Sequence, residues 1–257
     1  MFCSVRSLVT YYQRIKMTGV EYLYWEFLGT TILLLMGNGV CALVTLRTSA
    51  GRNAGWLTIA FGWGLAVFAG ASIADPSGGH LNPAVTLMLA VKGSVAWNLV
   101  PWYFAGQMLG GIFGAFLCWA AFKQLFDANN YDEAGNPGGN KNTGGIFFTN
   151  PAHPNNFWNA VTEFIATFVL LAFIALGPSG DVGPLKYFAV AFIVVSIGLS
   201  LGSPTAYAIN PARDLGPRIA YAFILPIKDK GSANWSYAWV PIVAPMLAAV
   251  ATGLLAL

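Results

Sequence analysis

The tripeptide Asn-Pro-Ala occurs at Asn82-Pro83-Ala84, Asn150-Pro151-Ala152 and Asn210-Pro211-Ala212. Asn is a good helix N-cap, and Pro suits the first helical position because its missing N–H needs no partner there. In two copies the tripeptide follows a breaker cluster: Asp75-Pro76-Ser77-Gly78-Gly79 precedes Asn82, and Gly202-Ser203-Pro204 precedes Asn210. The apolar run after Asn82 has about ten residues before Lys92, roughly 15 Å as a helix, so it can enter a bilayer but not cross it. Such a half-helix brings its positive dipole end near the membrane midplane. Non-helical backbone is tolerated at that depth only where it lines a water-filled cavity or is buried in protein. Two half-helices meeting tip to tip therefore imply a polar pore lined by carbonyls and by the amides of Asn82 and Asn210. Asn150 lacks this setting. It lies beside His153, Pro154, Asn155 and Asn156, and Pro154 forbids a smooth helix, so this copy is expected to be a turn in a surface loop.

Arg213 stands three residues after Asn210, directly after the uncharged stretch 187–212. An Arg facing lipid is costly, so its place is the pore mouth. There it would donate hydrogen bonds to solute hydroxyls and, with the half-helix dipoles, repel protons and cations. Glu26 and Glu163 each open an apolar helix. Read alone, either one is a helix-start cap or a buried acid with a hydrogen-bonding role. His80 and His153 are the only histidines, and no nucleophile–base pair or metal cluster is visible. Enzymatic chemistry, a metal and any other cofactor are not expected. The odd set Cys3, Cys41 and Cys118 forms no disulfide framework and reads as small core residues.

These residues must be held by membrane helices. The 257-residue chain is 56% hydrophobic and 9% charged, with mean hydropathy +0.62, against about 25% charged in soluble domains. Six uncharged stretches are long enough to matter: residues 27–46, 54–74, 93–122, 164–180, 187–212 and 231–257. A spanning helix needs roughly 20 residues, so a six-helix bundle is predicted, the fourth stretch being the short one. Residues 1–24 are too polar for a secretory signal and read as a basic helical lead-in with Arg6, Arg14 and Lys16. The net charge of +3 gives no argument for nucleic acid. With termini inside, five Lys and Arg fall on the inner side and seven on the outer. Only the cations flanking the first helix favour cytoplasmic termini.

The chain also repeats itself. Residues 25–36, WEFLGTTILLLM, resemble 162–173, TEFIATFVLLAF, and each half continues to an Asn-Pro-Ala and a Pro-containing apolar helix. A single channel domain over 1–257 is expected, with halves at about 1–122 and 157–257 and a polar loop at 123–156. Three spans per half make the repeat inverted, about an axis in the membrane plane.

The segments SGGHLNPAVTL, WGLAVF and AINPARDLGPR closely resemble the major intrinsic proteins, the aquaporins, and within them the glycerol facilitators. The resemblance runs from about Glu21 to Leu257. It implies a homotetramer in the cell membrane with one pore per subunit, built from six helices and two re-entrant half-helices. It implies that Asn82 and Asn210 donate to a permeant oxygen, while the carbonyls of Gly78, Gly79, His80, Ala206, Tyr207 and Ala208 line the pore. Glu26 and Glu163 would hold the two loops. Trp63, Tyr207, Arg213 and Gly198 would form the selectivity filter, with Gly198 leaving a wider constriction than the His of water-selective members. Asp214, Pro241 and Ile242 match the glycerol-type pattern. Read without the family, Trp63 is a lipid-facing or core aromatic. Tyr207 departs from the Phe of well-studied facilitators.

The resulting expectation is a passive channel for glycerol and similar small uncharged solutes, with some water. The alternatives are a channel preferring water, dihydroxyacetone, urea or undissociated lactic acid, and an ion-coupled secondary transporter. Coupling normally needs ionisable groups in the bundle, and here Glu26, Glu163 and Arg213 have structural roles.

Overall fold

A computed structural model describes residues 17–132, 134–177 and 185–257. Of the lead-in expected over 1–24, residues 1–16 lie outside the described residues, Cys3, Arg6, Arg14 and Lys16 among them. Gly19 to Tyr24 belong instead to the first span, α1 (Gly19–Thr45). Thr18 and Glu21 start it with a reciprocal capping box, which satisfies two of the orphan groups at a helix N-terminus.

The remaining long helices are α2 (Trp56–Ile73), α4 (Val100–Ala121) and α7 (Asn156–Leu176); α8 (Lys186–Leu201) and α10 (Val240–Leu255) are shorter. Four helices meet the length and apolarity of a membrane span, and α8 and α10 are apolar helices of 16 residues each. The fourth stretch, short when bounded by charges, becomes a 21-residue helix because it begins at Asn156 and carries Glu163 buried within it. Between the spans lie the half-helices α3 (Pro83–Val91) and α9 (Pro211–Ile219). Two short helices, α5 (Lys123–Ala128) and α6 (Gly144–Phe147), occupy the central connection. Among the described residues no strand forms, and Tyr131 and Pro137 make an isolated bridge.

The bundle closes through small residues. Gly106, Gly110 and Gly114 repeat every fourth position of α4 and bring it onto α1. A Cβ at these positions would meet the carbonyls of Leu23, Phe27 and Thr31 at 2.4, 2.6 and 2.6 Å. Close backbone approach of this kind drives helix association where lipid removes the hydrophobic incentive. Elsewhere α2 packs on α8, α7 on α10, α3 on α10 and α9 on α4. Outward faces stay apolar, with Leu109 and Phe113 of α4 and Leu247 and Leu254 of α10 exposed. Trp97, Trp102, Trp158, Trp235 and Trp239 are exposed near helix ends, where interfacial aromatics settle. The carbonyls released where α9 unwinds through Ala220–Ile224 are taken by the Lys230 ammonium, which donates to Tyr221 and Leu225.

Candidate functional site

Each half-helix is capped by its own Asn. Asn82 Oδ1 accepts from the Ala84 N–H at 2.9 Å, and Asn210 Oδ1 accepts from Ala212 and Arg213 at 3.0 and 3.1 Å. The other end of each amide crosses to the opposite tip. Asn82 Nδ2 donates to the Ile209 carbonyl and Asn210 Nδ2 to the Leu81 carbonyl, both at 2.8 Å. Two positive helix ends thus face each other across one reciprocal pair of hydrogen bonds.

The extended loops that lead to these caps are strained. Leu81, Ala206, Tyr207 and Ile209 take φ of 53, 59, 39 and 45°, a left-handed region that costs about 1–3 kcal/mol per non-glycine residue. Two buried acids hold the loops there. Glu26 accepts from the N–H groups of His80 and Leu81 (3.0 and 2.7 Å), from Ser77 Oγ (2.7 Å) and from Gln107 Nε2 (2.8 Å). Glu163 accepts from Ala208 and Ile209, each at 2.9 Å. With the N–H groups so consumed, the carbonyls of Gly78, Gly79, His80, Ala206, Tyr207 and Ala208 accept no hydrogen bond among the described residues. Gly79 has no alternative: φ is 62°, and a Cβ would meet Ala71 O at 2.8 Å and the Tyr187 ring at 2.9 Å.

A cavity of about 180 Å³ runs along these loops. Gly78, Gly79, His80 and Tyr187 border it, as do Trp63, Tyr207 and Arg213, with Asn82, Asn210 and Ala208 also on its wall. Leu33, Val67, Val85, Leu170, Val190 and Val194 add apolar side chains to the lining. Arg213 is 7% exposed, lies with Cζ 3.8 Å from the Trp63 ring centroid and donates to the Phe147 carbonyl at 3.1 Å. The Trp63 N–H is spent on Cys41 Sγ at 3.3 Å, so Trp63 offers its ring alone. The His80 ring turns aside, stacked on Tyr103 and bonded to Thr86.

Two residues assigned to the pore from sequence stand off its wall: Ala206 and Gly198 do not line the cavity. A Cβ on Gly198 would fall 2.8 Å from Tyr207 Cζ and 3.0 Å from its hydroxyl. Tyr207 therefore fills the space that a side chain at 198 would occupy, and the glycine bears on the opening through the room it leaves for that ring. Pro241 and Ile242 also stand away from the cavity, in the first turn of α10. Asp214, next to Arg213 in the chain, is fully buried. It receives Arg218 Nε (2.8 Å), the Thr149 N–H (2.8 Å) and the Thr149 hydroxyl (2.6 Å).

Phe147 and Thr149 had no signal in the sequence, since their partners lie 65 or more positions away. The third Asn-Pro-Ala forms a non-helical turn with Asn150 exposed, as its neighbours suggested. It is nonetheless fastened to the second pore loop, because the Ala152 N–H donates to the Pro204 carbonyl at 2.9 Å. Among the described residues no group of His, Cys, Asp and Glu could hold a metal ion.

An all-α bundle that spans a membrane and carries two opposed half-helices beside a lined cavity defines a membrane channel protein. The Major intrinsic protein family model matches residues 15–256, and the chain belongs to that family. It is 46% identical over 227 residues to the glycerol uptake facilitator protein of Bacillus subtilis (strain 168), covering 87% of this chain and 80% of that one. Against glycerol uptake facilitator protein 3 of Lactiplantibacillus plantarum the identity is 44% over 229 residues, covering 86% and 90%. Its fold is similar to the X-ray structure of the aquaglyceroporin from Plasmodium falciparum, with TM-score 0.71, 28% identity and coverage of 92% and 95%.

Proposed function

We propose that the protein is a passive, bidirectional channel for glycerol and similar small uncharged solutes, with some water. The observation that carries this reading is the reciprocal Asn82–Ile209 and Asn210–Leu81 bonding beside a cavity lined by both apolar side chains and hydrogen-bonding groups. A short polyol presents hydroxyls along one edge and carbons along the other. Arg213 donates to the hydroxyls, Trp63 and Tyr207 cover the carbons, and unpartnered loop carbonyls accept onward. The curated relatives named glycerol uptake facilitators support the same solute class. No bond is made or broken in such a passage, so the reading is of a channel and not an enzyme.

Ion coupling is disfavoured because both buried acids are already occupied by loop N–H groups. In this reading the halves at about 1–122 and 157–257 form one channel domain, four copies assemble in the cell membrane, and the termini are cytoplasmic.

Stopped-flow light scattering on proteoliposomes tests it. Glycerol flux linear in concentration and independent of sodium or a proton gradient is expected. Fast water passage with no glycerol passage would overturn the facilitator reading, and saturable ion-dependent flux would favour a transporter.

A further inference from the structure

Trp56, the first residue of α2, is 39% exposed and looks like an ordinary interfacial aromatic. Its contacts say otherwise. Its indole N–H donates to the Gly198 carbonyl at 2.7 Å, reaching across 142 positions of sequence. That carbonyl lies near the C-terminal end of α8, where helical donors run out and an outside donor is needed. The same indole meets the Tyr207 ring edge-on, centroids 5.8 Å apart at 73°. Gly202 sits between them: a Cβ there would fall 2.7 Å from Trp56 and 2.7 Å from Tyr207. Tyr207 in turn presses its phenol end onto Gly198 and keeps a left-handed φ of 39°. Its hydroxyl makes no hydrogen bond, so no polar contact at the far end of the ring fixes its tilt.

We propose that Trp56 is the positioning residue of the filter, fixing its width by clamping the Gly198 carbonyl and the Tyr207 ring into one wedge opposite Arg213 and Trp63. This rests on the filter reading above and extends it to a residue that lines no part of the cavity. Removing the indole opens space behind Tyr207, and the ring can then tilt away from the lumen. The consequence is a change in which solutes fit, beyond any loss of stability. Solutes one or two carbons longer than glycerol gain most.

The test measures water, glycerol, erythritol and xylitol permeabilities in proteoliposomes of wild type, Trp56→Leu, Trp56→Phe, Tyr207→Ala and the Trp56→Leu/Tyr207→Ala double variant. Ratios between solutes cancel differences in the amount of folded channel. Trp56→Leu is expected to raise the erythritol-to-glycerol ratio on the order of fivefold, what one ordinary hydrogen bond is worth. Trp56→Phe, which keeps a ring without the donor, falls between it and wild type. With Tyr207→Ala in place, Trp56→Leu shifts the ratio no further, as coupled neighbours require. Unchanged ratios in both Trp56 variants would overturn the proposal, and so would a full shift that persists without Tyr207. Wild type that passes no glycerol would instead sink the functional reading itself.

Discussion

The guanidinium carbon of Arg213 lies 3.8 Å from the centroid of the Trp63 ring, so two residues that line the cavity, a cation and an aromatic, act as one unit. Such a contact is worth about 2 kcal/mol when water is excluded. It also orients the guanidinium, whose NH1 is held by the Phe147 carbonyl, and leaves its other donors for a solute. Arg213→Leu removes charge-assisted bonds to the hydroxyls. Glycerol permeability relative to water should fall by about tenfold, read by stopped-flow light scattering. An unchanged ratio would remove Arg213 from the selectivity step.

The two loop-holding acids should respond unequally. Glu26 receives four donors and Glu163 two. A Gln in either place turns one acceptor into a donor and strands a buried N–H, at about 1–3 kcal/mol. Thermal unfolding in detergent should show both Gln variants destabilised, Glu26→Gln the more. Equal melting temperatures for wild type and both variants would contradict the anchoring role.

Much of this site was legible beforehand because its chemistry is local. Asn followed by Pro is a helix start wherever it occurs, and the breaker clusters before Asn82 and Asn210 told the pore copies from Asn150. Charge limits misjudged helix ends, since a capping box at Thr18 and a buried Glu163 let α1 and α7 extend past charged residues. Long-range roles stayed hidden. An indole at Trp56 reads as lipid-facing whether or not it reaches Gly198, and Thr149 carries no mark of its bond to Asp214. At Gly198 the sequence shows a missing side chain, but not that the space it leaves is taken by Tyr207.

Asp214 and Arg218 are both fully buried and paired at 2.7 Å. Arg218 also donates to the carbonyls of Thr149, Ala233 and Asn234, so it ties three segments together. Removing one member of such a pair leaves a lone buried charge, at a cost of about 3–5 kcal/mol. Asp214→Leu and Arg218→Met should each express poorly and melt early. The double variant should lose less than the sum of the two. Strict additivity in a thermal-melt cycle would argue against the pair.

Beside Tyr187, which lines the cavity, Asp75 pairs with the Lys186 ammonium and accepts from the Tyr187 hydroxyl at 2.8 Å. The Lys186 hydrogen bond is the main cause that holds the Asp75 carboxyl below its usual range. A carboxylate lowered in the folded state stabilises fully above its unfolded value, about 3.9, and loses that contribution as pH falls through the folded one. The melting-temperature gap between wild type and Asp75→Asn should therefore be constant from pH 8 to 5 and shrink only in stronger acid. A gap that closes near neutrality would show that another group is responsible.

Gly198 and Tyr207 supply the sharpest packing prediction. Even the smallest side chain at 198 meets the phenol ring at 2.8 Å, and that ring is backed by Trp56. Overpacking of this kind typically costs about 1–3 kcal/mol when nothing can move. Here the softer route is for Tyr207 to swing toward the lumen, where Arg213 and Trp63 already stand. Gly198→Ala should therefore leave the fold intact but cut glycerol flux more than water flux. Tyr207→Phe keeps the clashing ring carbons and should not rescue it, whereas Tyr207→Ala in the same chain should restore passage. Rescue by Phe alone would mean that the hydroxyl, and not the ring, sets the limit.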